Sequence, residues 1–99
     1  MSSSTDIFRT LNTVADEIIN FVGFHVDIEK KEEGMECLKQ LMRIYHLTGK
    51  LHIYEELNNT LRIKETKSSI KVQLTILAMR FPVVNQTILQ SLEKIKIAS

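Results

Sequence analysis

The chain is 99 residues long, enough for one small domain with one modest hydrophobic core. It is 43% hydrophobic and 25% charged, as ordinary globular proteins are, and its only cysteine, Cys37, excludes an intramolecular disulfide and a cysteine-based metal site. No stretch approaches the ~20 consecutive apolar residues of a membrane-spanning helix, so no membrane contact is expected. We therefore expect residues 1–99 to form a single domain.

The net charge is only +1, but acids and bases are unevenly distributed. Residues 1–36 hold eight acids and three bases, whereas residues 37–99 hold ten bases and four acids. Such asymmetry can indicate an acidic partner or a nucleic acid. Because the bases are spaced out along the chain, we favour a surface of mixed charge with acids at helix starts.

The first predicted helix covers residues 6–26. Apolar residues recur there at steps of three and four, which is the period of a helix with one buried face. These residues are Ile7, Leu11, Val14, Ile18 and Val22. The Ser-Ser-Thr-Asp run before them supplies an N-cap.

The second predicted helix runs from Asp27, or slightly later, to about Leu47. Acids stand in its first turns and bases in its last, the order that the helix dipole favours. Its expected core stripe consists of Met35, Leu38, Met42 and Tyr45. Gly49 is a favourable C-terminal stop.

Residues 50–80 fit two patterns. One is helical, with apolar stripes formed by Leu51, Tyr54, Leu57 and Leu61 and then by Ile70, Leu74, Leu77 and Phe81. The other is a three-stranded meander over residues 51–77, with Asn58-Asn59 as a hairpin turn, which would make the fold α+β. We favour helices because strong helix formers continue the apolar pattern to Phe81.

Pro82 breaks the chain before a last predicted helix over residues 83–97. The apolar face of that helix consists of Val84, Ile88, Leu92 and Ile95. The predicted fold class is therefore all-α, a compact bundle of four to five short helices.

No catalytic or metal-binding constellation is visible in the sequence. None of His25, His46 and His52 has a second metal-type ligand at i+3 or i+4 in a recognisable motif. His46 with Glu55, and His52 with Glu56, can be neighbours only if the chain turns between them. Two pairs of glutamates are adjacent in the sequence, Glu32-Glu33 and Glu55-Glu56. Neither pair makes an acid–base dyad, because adjacent residues point to different sides of a helix or strand. We expect no enzyme, no metal and no cofactor.

Four bases lie within ten residues, at Arg62, Lys64, Lys67 and Lys71. They could bind phosphates, but no aromatic residues stand between them to stack on bases. We therefore rank a nucleic acid below a protein partner that carries acidic residues.

A family resemblance rests on residues 26–41 (VDIEKKEEGMECLKQL), which read as a hydrophobe-Asp pair, an acidic turn and a helix with Leu-x-x-Leu. Leu47-Thr48 and the segment ELNNTLR at 56–62 follow in the same order. This order resembles the TFIIS N-terminal domain family, in particular the integrase-binding-domain branch of the LEDGF-type chromatin readers. The resemblance covers roughly residues 18–81.

The resemblance implies a right-handed bundle of short helices with HEAT-like pairing and no catalytic activity. It implies docking of short disordered motifs from transcription and chromatin factors, in the nucleus. Without the resemblance, a cytoplasmic protein is expected.

The resemblance also implies a first part of the partner site at Val26 and Asp27. They match an inter-helix pair whose aspartate accepts hydrogen bonds from the partner backbone, beside an apolar patch. Asp27 is equally suited to be the N-cap of the second helix, and both roles can hold together.

A second family loop, before the fourth helix, falls near Thr66, Lys67 and Ser68. The family has large apolar residues in this loop, so Thr66 and Ser68 would make a shallower pocket. Arg62, Lys64 and Lys67 retain the basic character that meets acidic residues flanking a docked motif.

The expected function is a protein–protein interaction module that docks short linear motifs with acidic flanks. The alternative is a small bacterial or viral regulator that acts by dimerisation or by binding a larger enzyme.

Overall fold

The computed structural model describes residues 3–24 and 27–94. These parts of the chain form four α-helices and one short 3-10 turn: α1 (Ser3–Phe24), α2 (Ile28–Glu56), α3 (Thr60–Arg80), the 3-10 turn Pro82–Val84, and α4 (Asn85–Lys94). They contain no strand, so the all-α class is confirmed and the meander over residues 51–77 is wrong. With 22, 29 and 21 residues, the first three helices are not short; α1 is about as long as predicted, whereas α2 is longer.

The predicted apolar stripe of α1 forms the core as expected. Its members Ile7, Leu11, Val14 and Ile18 are at most 1% exposed, and Val22 is half-buried. The period of 3.6 residues per turn places them on one side of the helix. Along this helix the sequence pattern therefore identifies the buried face.

The second helix differs from the prediction at its C-terminal end. It continues through Gly49 to Glu56, so the expected end near Leu47 is wrong. Leu51 and Thr48 are fully buried, and their packing outweighs the weak helix propensity of a single glycine.

The core stripe predicted for α2 is wrong at two of its four members, whereas Leu38 and Tyr45 are half-buried and pack against the core. Met35 and Met42 are 48% and 68% exposed, whereas the buried residues lie on a neighbouring face. That face consists of Gly34, Cys37, Gln40, Leu41, Ile44, Thr48 and Leu51. Because α2 has apolar residues on two faces, its periodicity does not decide which face is buried.

The Asn58-Asn59 pair connects α2 to α3 and forms no β-hairpin. Asn58 has a φ of 54°, the left-handed conformation that asparagine tolerates better than most residues. The Asn59 side chain accepts a hydrogen bond from the backbone N–H of Arg62 at 3.2 Å and caps α3. A turn was predicted here only as part of the meander. The favoured helical stripe ran on from Leu51 to Leu61, and it is wrong at Leu57 and Leu61, which are 68% and 66% exposed.

Pro82 ends the apolar run of α3, as predicted, and begins the 3-10 turn. Val84 and Ile88 are fully buried and Leu92 is half-buried, so the apolar face of the last helix is confirmed up to Leu92. Ile95, the next member of that face, lies outside the described residues.

Successive helices run antiparallel. α2 packs against α1 and α3, and α4 packs against α3 and α1. The side chains of Asn12 and Tyr45 join α1 to α2 at 2.6 Å, and the Thr87 hydroxyl donates a hydrogen bond to Glu17 and ties α4 to α1. The bundle measures 47 × 21 × 19 Å, so its long axis follows the three long helices.

Candidate functional site

The first part of the predicted partner site lies at the start of α2. Val26 lies outside the described residues. Asp27 is exposed, and its carboxylate accepts a hydrogen bond from the backbone N–H of Glu29 at 2.9 Å. This contact makes Asp27 the N-cap of α2, one of the two roles predicted for it.

The second part of the predicted site lies within α3 and forms no loop. Thr66, Lys67 and Ser68 all stand in its helical interior, so the expected loop before a fourth helix is wrong. The physical reason is the cap at Asn59, which starts a helix that continues unbroken to Arg80.

The α3 residues of that second part face in different directions. Thr66 is 8% exposed and faces the core, which leaves little of its side chain for a partner. Lys64 and Ser68 are exposed, Lys67 is half-buried, and Arg62 forms an exposed ion pair with Glu65 at 3.3 Å.

The structure does not bring the two parts of the predicted site together. The Arg80 guanidinium, at the end of α3, donates to the Gln40 side-chain oxygen at 3.0 Å. Arg62, at the start of α3, lines a small groove with Lys50 and Tyr54, near the end of α2. Because the helices are antiparallel and α2 is about 43 Å long, Asp27 and Arg62 lie near opposite ends of the bundle.

A cluster of Ser4, His52 and Glu55 was not anticipated from the sequence. The Ser4 hydroxyl donates to a Glu55 oxygen at 2.5 Å and lies 3.4 Å from Nδ1 of His52. The backbone N–H of Ser3 donates to the other Glu55 oxygen at 3.0 Å. Ser4 is fully buried and its proton points to the carboxylate, so the geometry is that of a helix-end cap and not of an activated nucleophile.

The predicted histidine–glutamate pairs have separate outcomes. His52 Nε2 lies 3.7 Å from Glu56, because the two residues are one helical turn apart. His46 and Glu55 stand nine positions apart on the same helix, which turns them to opposite sides. Among residues 3–24 and 27–94, no three metal-type ligands are close enough to hold an ion.

The single thiol is buried in the core. Cys37 is 1% exposed, and burial raises its pKa, with Glu33 and Glu36 adding to the rise and Arg80 opposing it. A protonated thiol without access to solvent is a poor nucleophile at neutral pH.

The surface is notable for its exposed apolar side chains. On α3, Val72, Ile76 and Met79 are 56%, 40% and 79% exposed. Their spacing of four and three residues places them on one side of the helix, together with Ser68 one turn earlier. We call these four residues the α3 outer face. In the sequence this face is visible as the apolar residues Val72, Ile76 and Met79, which repeat once per helical turn but lie outside the predicted core stripe.

Basic residues stand on α3 itself and on α2 where the two helices form a groove. α3 carries five bases and one acid. Met42, Arg43, His46 and Leu47 of α2, with Gln73 of α3, line an open groove of about 490 Å³ between the two helices. An apolar strip with basic neighbours is complementary to a partner segment that has apolar and acidic residues.

No protein-family model, characterised protein or solved structure matches the chain, so the family resemblance stays a prediction. In the described part of the chain, no helix is long and apolar enough to cross a membrane.

Proposed function

We propose that the protein is a helical interaction module that binds a partner segment along the α3 outer face. The observation that supports this most directly is the row of Val72, Ile76 and Met79, which are exposed although they repeat at helical spacing. A row of this kind is the usual docking stripe for an amphipathic helix or a short motif with spaced apolar anchors. Methionine adapts its shape to such anchors.

The partner segment should be acidic beside its apolar residues. The Arg43 side chain and the α3 bases Lys64 and Lys71 make no ion pair within the described residues. Acidic side chains of a partner would therefore meet basic side chains that form no ion pair within the described part of the chain. Of the α3 residues proposed from the sequence, Ser68 and Lys64 are best placed to contact such a partner.

The sequence resemblance suggests which proteins these partners are. The TFIIS N-terminal domain family docks motifs of transcription and chromatin factors, and the proposed mode of binding agrees with that role. A function in transcription, in the nucleus, rests on this resemblance alone.

A peptide-display experiment tests the proposal. A library of short acidic segments, with apolar residues at helical spacing, is selected on the immobilised protein, and affinities of the enriched peptides are measured by fluorescence anisotropy. We expect the double variant Val72→Glu, Met79→Glu to weaken binding by about tenfold or more, because each change places an acid against an acidic ligand.

Leu89→Glu in α4 is the matched control. Leu89 is 51% exposed, close to the exposure of Val72, but it lies on another helix. Binding should survive this change. Failure to enrich any acidic peptide, or an equal loss of binding with Leu89→Glu, would contradict the proposal.

A further inference from the structure

The outward side of α2 carries a continuous row of six charged side chains and one histidine, spaced alternately three and four residues apart. The row consists of Glu29, Glu32, Glu36, Lys39, Arg43, His46 and Lys50, and every member is exposed. Residues at this spacing share one face of a helix. All the acids stand in the first half of the row, and the bases and the histidine stand in the second.

Apolar side chains accompany this row at a spacing of seven residues. Ile28, Met35 and Met42 are 71%, 48% and 68% exposed. Met35 borders a shallow depression that is lined by α2 alone, between Ile28 and Lys39. A depression between side chains of a single helix can receive a side chain from a second helix. We call this row and these three apolar residues the α2 outer face.

Two pairs of neighbours in this row are unfavourable within the helix, although the overall order of acids and bases suits the helix dipole. Glu32 and Glu36, and likewise Lys39 and Arg43, are like charges one turn apart, which destabilises an isolated helix. Of the residues in the row, only Glu36 and Lys39 form an ion pair within the described part of the chain, at 3.2 Å. The remaining charges are available to a partner.

We propose that the α2 outer face pairs with the same face of a second copy of this chain, with the two helices antiparallel. A two-fold axis near Lys39 places Glu29 opposite Lys50 of the second copy, and Glu36 opposite Arg43 of the second copy. Nearly the same axis places Met35 opposite Met42 of the second copy. The interface is isologous, since each contact occurs twice.

Charge complementarity selects both the occupant and its direction. A parallel pair would bring acids against acids and bases against bases. A partner segment of one charge sign would suit only half of the face, and an anionic lipid surface would repel the acidic half. The charged pairs Glu29/Lys50 and Glu36/Arg43 and the apolar pair Met35/Met42 are symmetric about nearly the same point of the helix, as a self-pairing surface requires, whereas Ile28 has no apolar counterpart. This pairing goes beyond the proposed function, because it uses α2 and leaves Val72 and Met79 of α3 for a partner.

Charge reversal on the whole chain tests the pairing. The first variant combines Glu29→Lys with Glu36→Lys, and the second combines Arg43→Glu with Lys50→Glu. Self-association is measured by sedimentation equilibrium, with circular dichroism to show that each variant is folded. We expect the wild-type chain to dimerise. Each variant alone should self-associate at least about tenfold more weakly, because both charge pairs become repulsive and each pair occurs twice in the interface.

An equimolar mixture of the two variants should regain the dimer as a heterodimer, because positions 29, 36, 43 and 50 are all basic in one variant and all acidic in the other. The control variant Lys30→Glu with Lys64→Glu changes the net charge by the same amount as the second variant but lies outside the row, and it should dimerise normally.

A chain that stays monomeric at its solubility limit would overturn the pairing. So would a dimer that survives both reversals, or one that the α3 change Met79→Glu abolishes. Peptide binding is measured on the wild-type chain and on the first variant, Glu29→Lys with Glu36→Lys, because Arg43 is also one of the charges proposed to meet the acidic peptide. The changes at Val72 and Met79 test the α3 outer face separately.

Discussion

Gly34 shows how one residue sets the distance between two helices. A Cβ atom at this position would overlap with Cγ2 of Val22 on α1, and Phe81 lies just beyond at 3.7 Å. Valine is stiff at its first torsion and cannot easily turn away. Glycine lowers the propensity of a helix interior, but here close packing against Val22 requires it.

We therefore expect Gly34→Ala to lower the free energy of unfolding by about 1–3 kcal/mol, because overpacking outweighs the gain in helix propensity. Gly49→Ala is the matched control, since it lies in the same helix with no atom within 4 Å of its Cβ position. That change should raise the free energy of unfolding by about 0.5–1 kcal/mol. Chemical denaturation measures both, and equal effects of the two changes would contradict the close approach.

At the scale of the single element, α2 begins at a cap whose two predicted roles can be separated. Asn caps a helix about as well as Asp, whereas Ala does not. We expect Asp27→Ala to lower the free energy of unfolding by about 0.5–2 kcal/mol, because the N–H of Glu29 loses its acceptor. Asp27→Asn should stay close to the wild-type value. Thermal unfolding of both variants and of the wild-type chain measures these differences in stability.

The same pair of variants tests whether Asp27 also binds a partner. If Asp27→Asn keeps its stability but binds selected peptides more weakly, the carboxylate contacts the ligand and the first part of the sequence-derived site is real. If binding is unchanged, Asp27 is a cap only. A loss of stability in Asp27→Asn equal to that in Asp27→Ala would contradict the capping geometry itself.

The second helix is also where sequence and structure differ most. Its two apolar rows, one with Met35 and Met42 and the other with Leu41 and Ile44, are both compatible with a helical period. Only α1 and α3, by packing against the side of Leu41, decide which row is buried. The row left outside is the one from which we infer self-pairing.

At the scale of the whole molecule, Cys37 reports on opening of the bundle. It is 1% exposed within a core that all four helices share. We expect the thiol of the native protein to react with an aromatic disulfide reagent at least about 1000-fold more slowly than that of the unfolded chain, because reaction requires opening. An exposed thiol, made by Ser68→Cys in a Cys37→Ala background, is the control and should react at once. Rapid reaction of native Cys37 would place it outside the core.

The raised pKa of Cys37 also predicts a direction of pH dependence. The folded state favours the neutral thiol, so this contribution to stability is complete below the ordinary pKa of 9.0. It is lost as the pH rises through the higher pKa of the folded state. The melting temperature should therefore fall at alkaline pH, and Cys37→Ala should reduce that slope.

The sequence by itself favoured the helical class over a meander without deciding between them. It determined the core face of α1, that of α3 from Ile70 onward, that of the start of α4, and the break at Pro82. Each of these follows from a local rule, namely apolar period or the missing N–H of proline. The tertiary structure decided the rest. It continued α2 through Gly49, turned Met42 outward, and placed the two parts of the predicted site at opposite ends. The physical reason is that which face is buried, and which residues meet, depends on neighbouring helices that no local pattern contains.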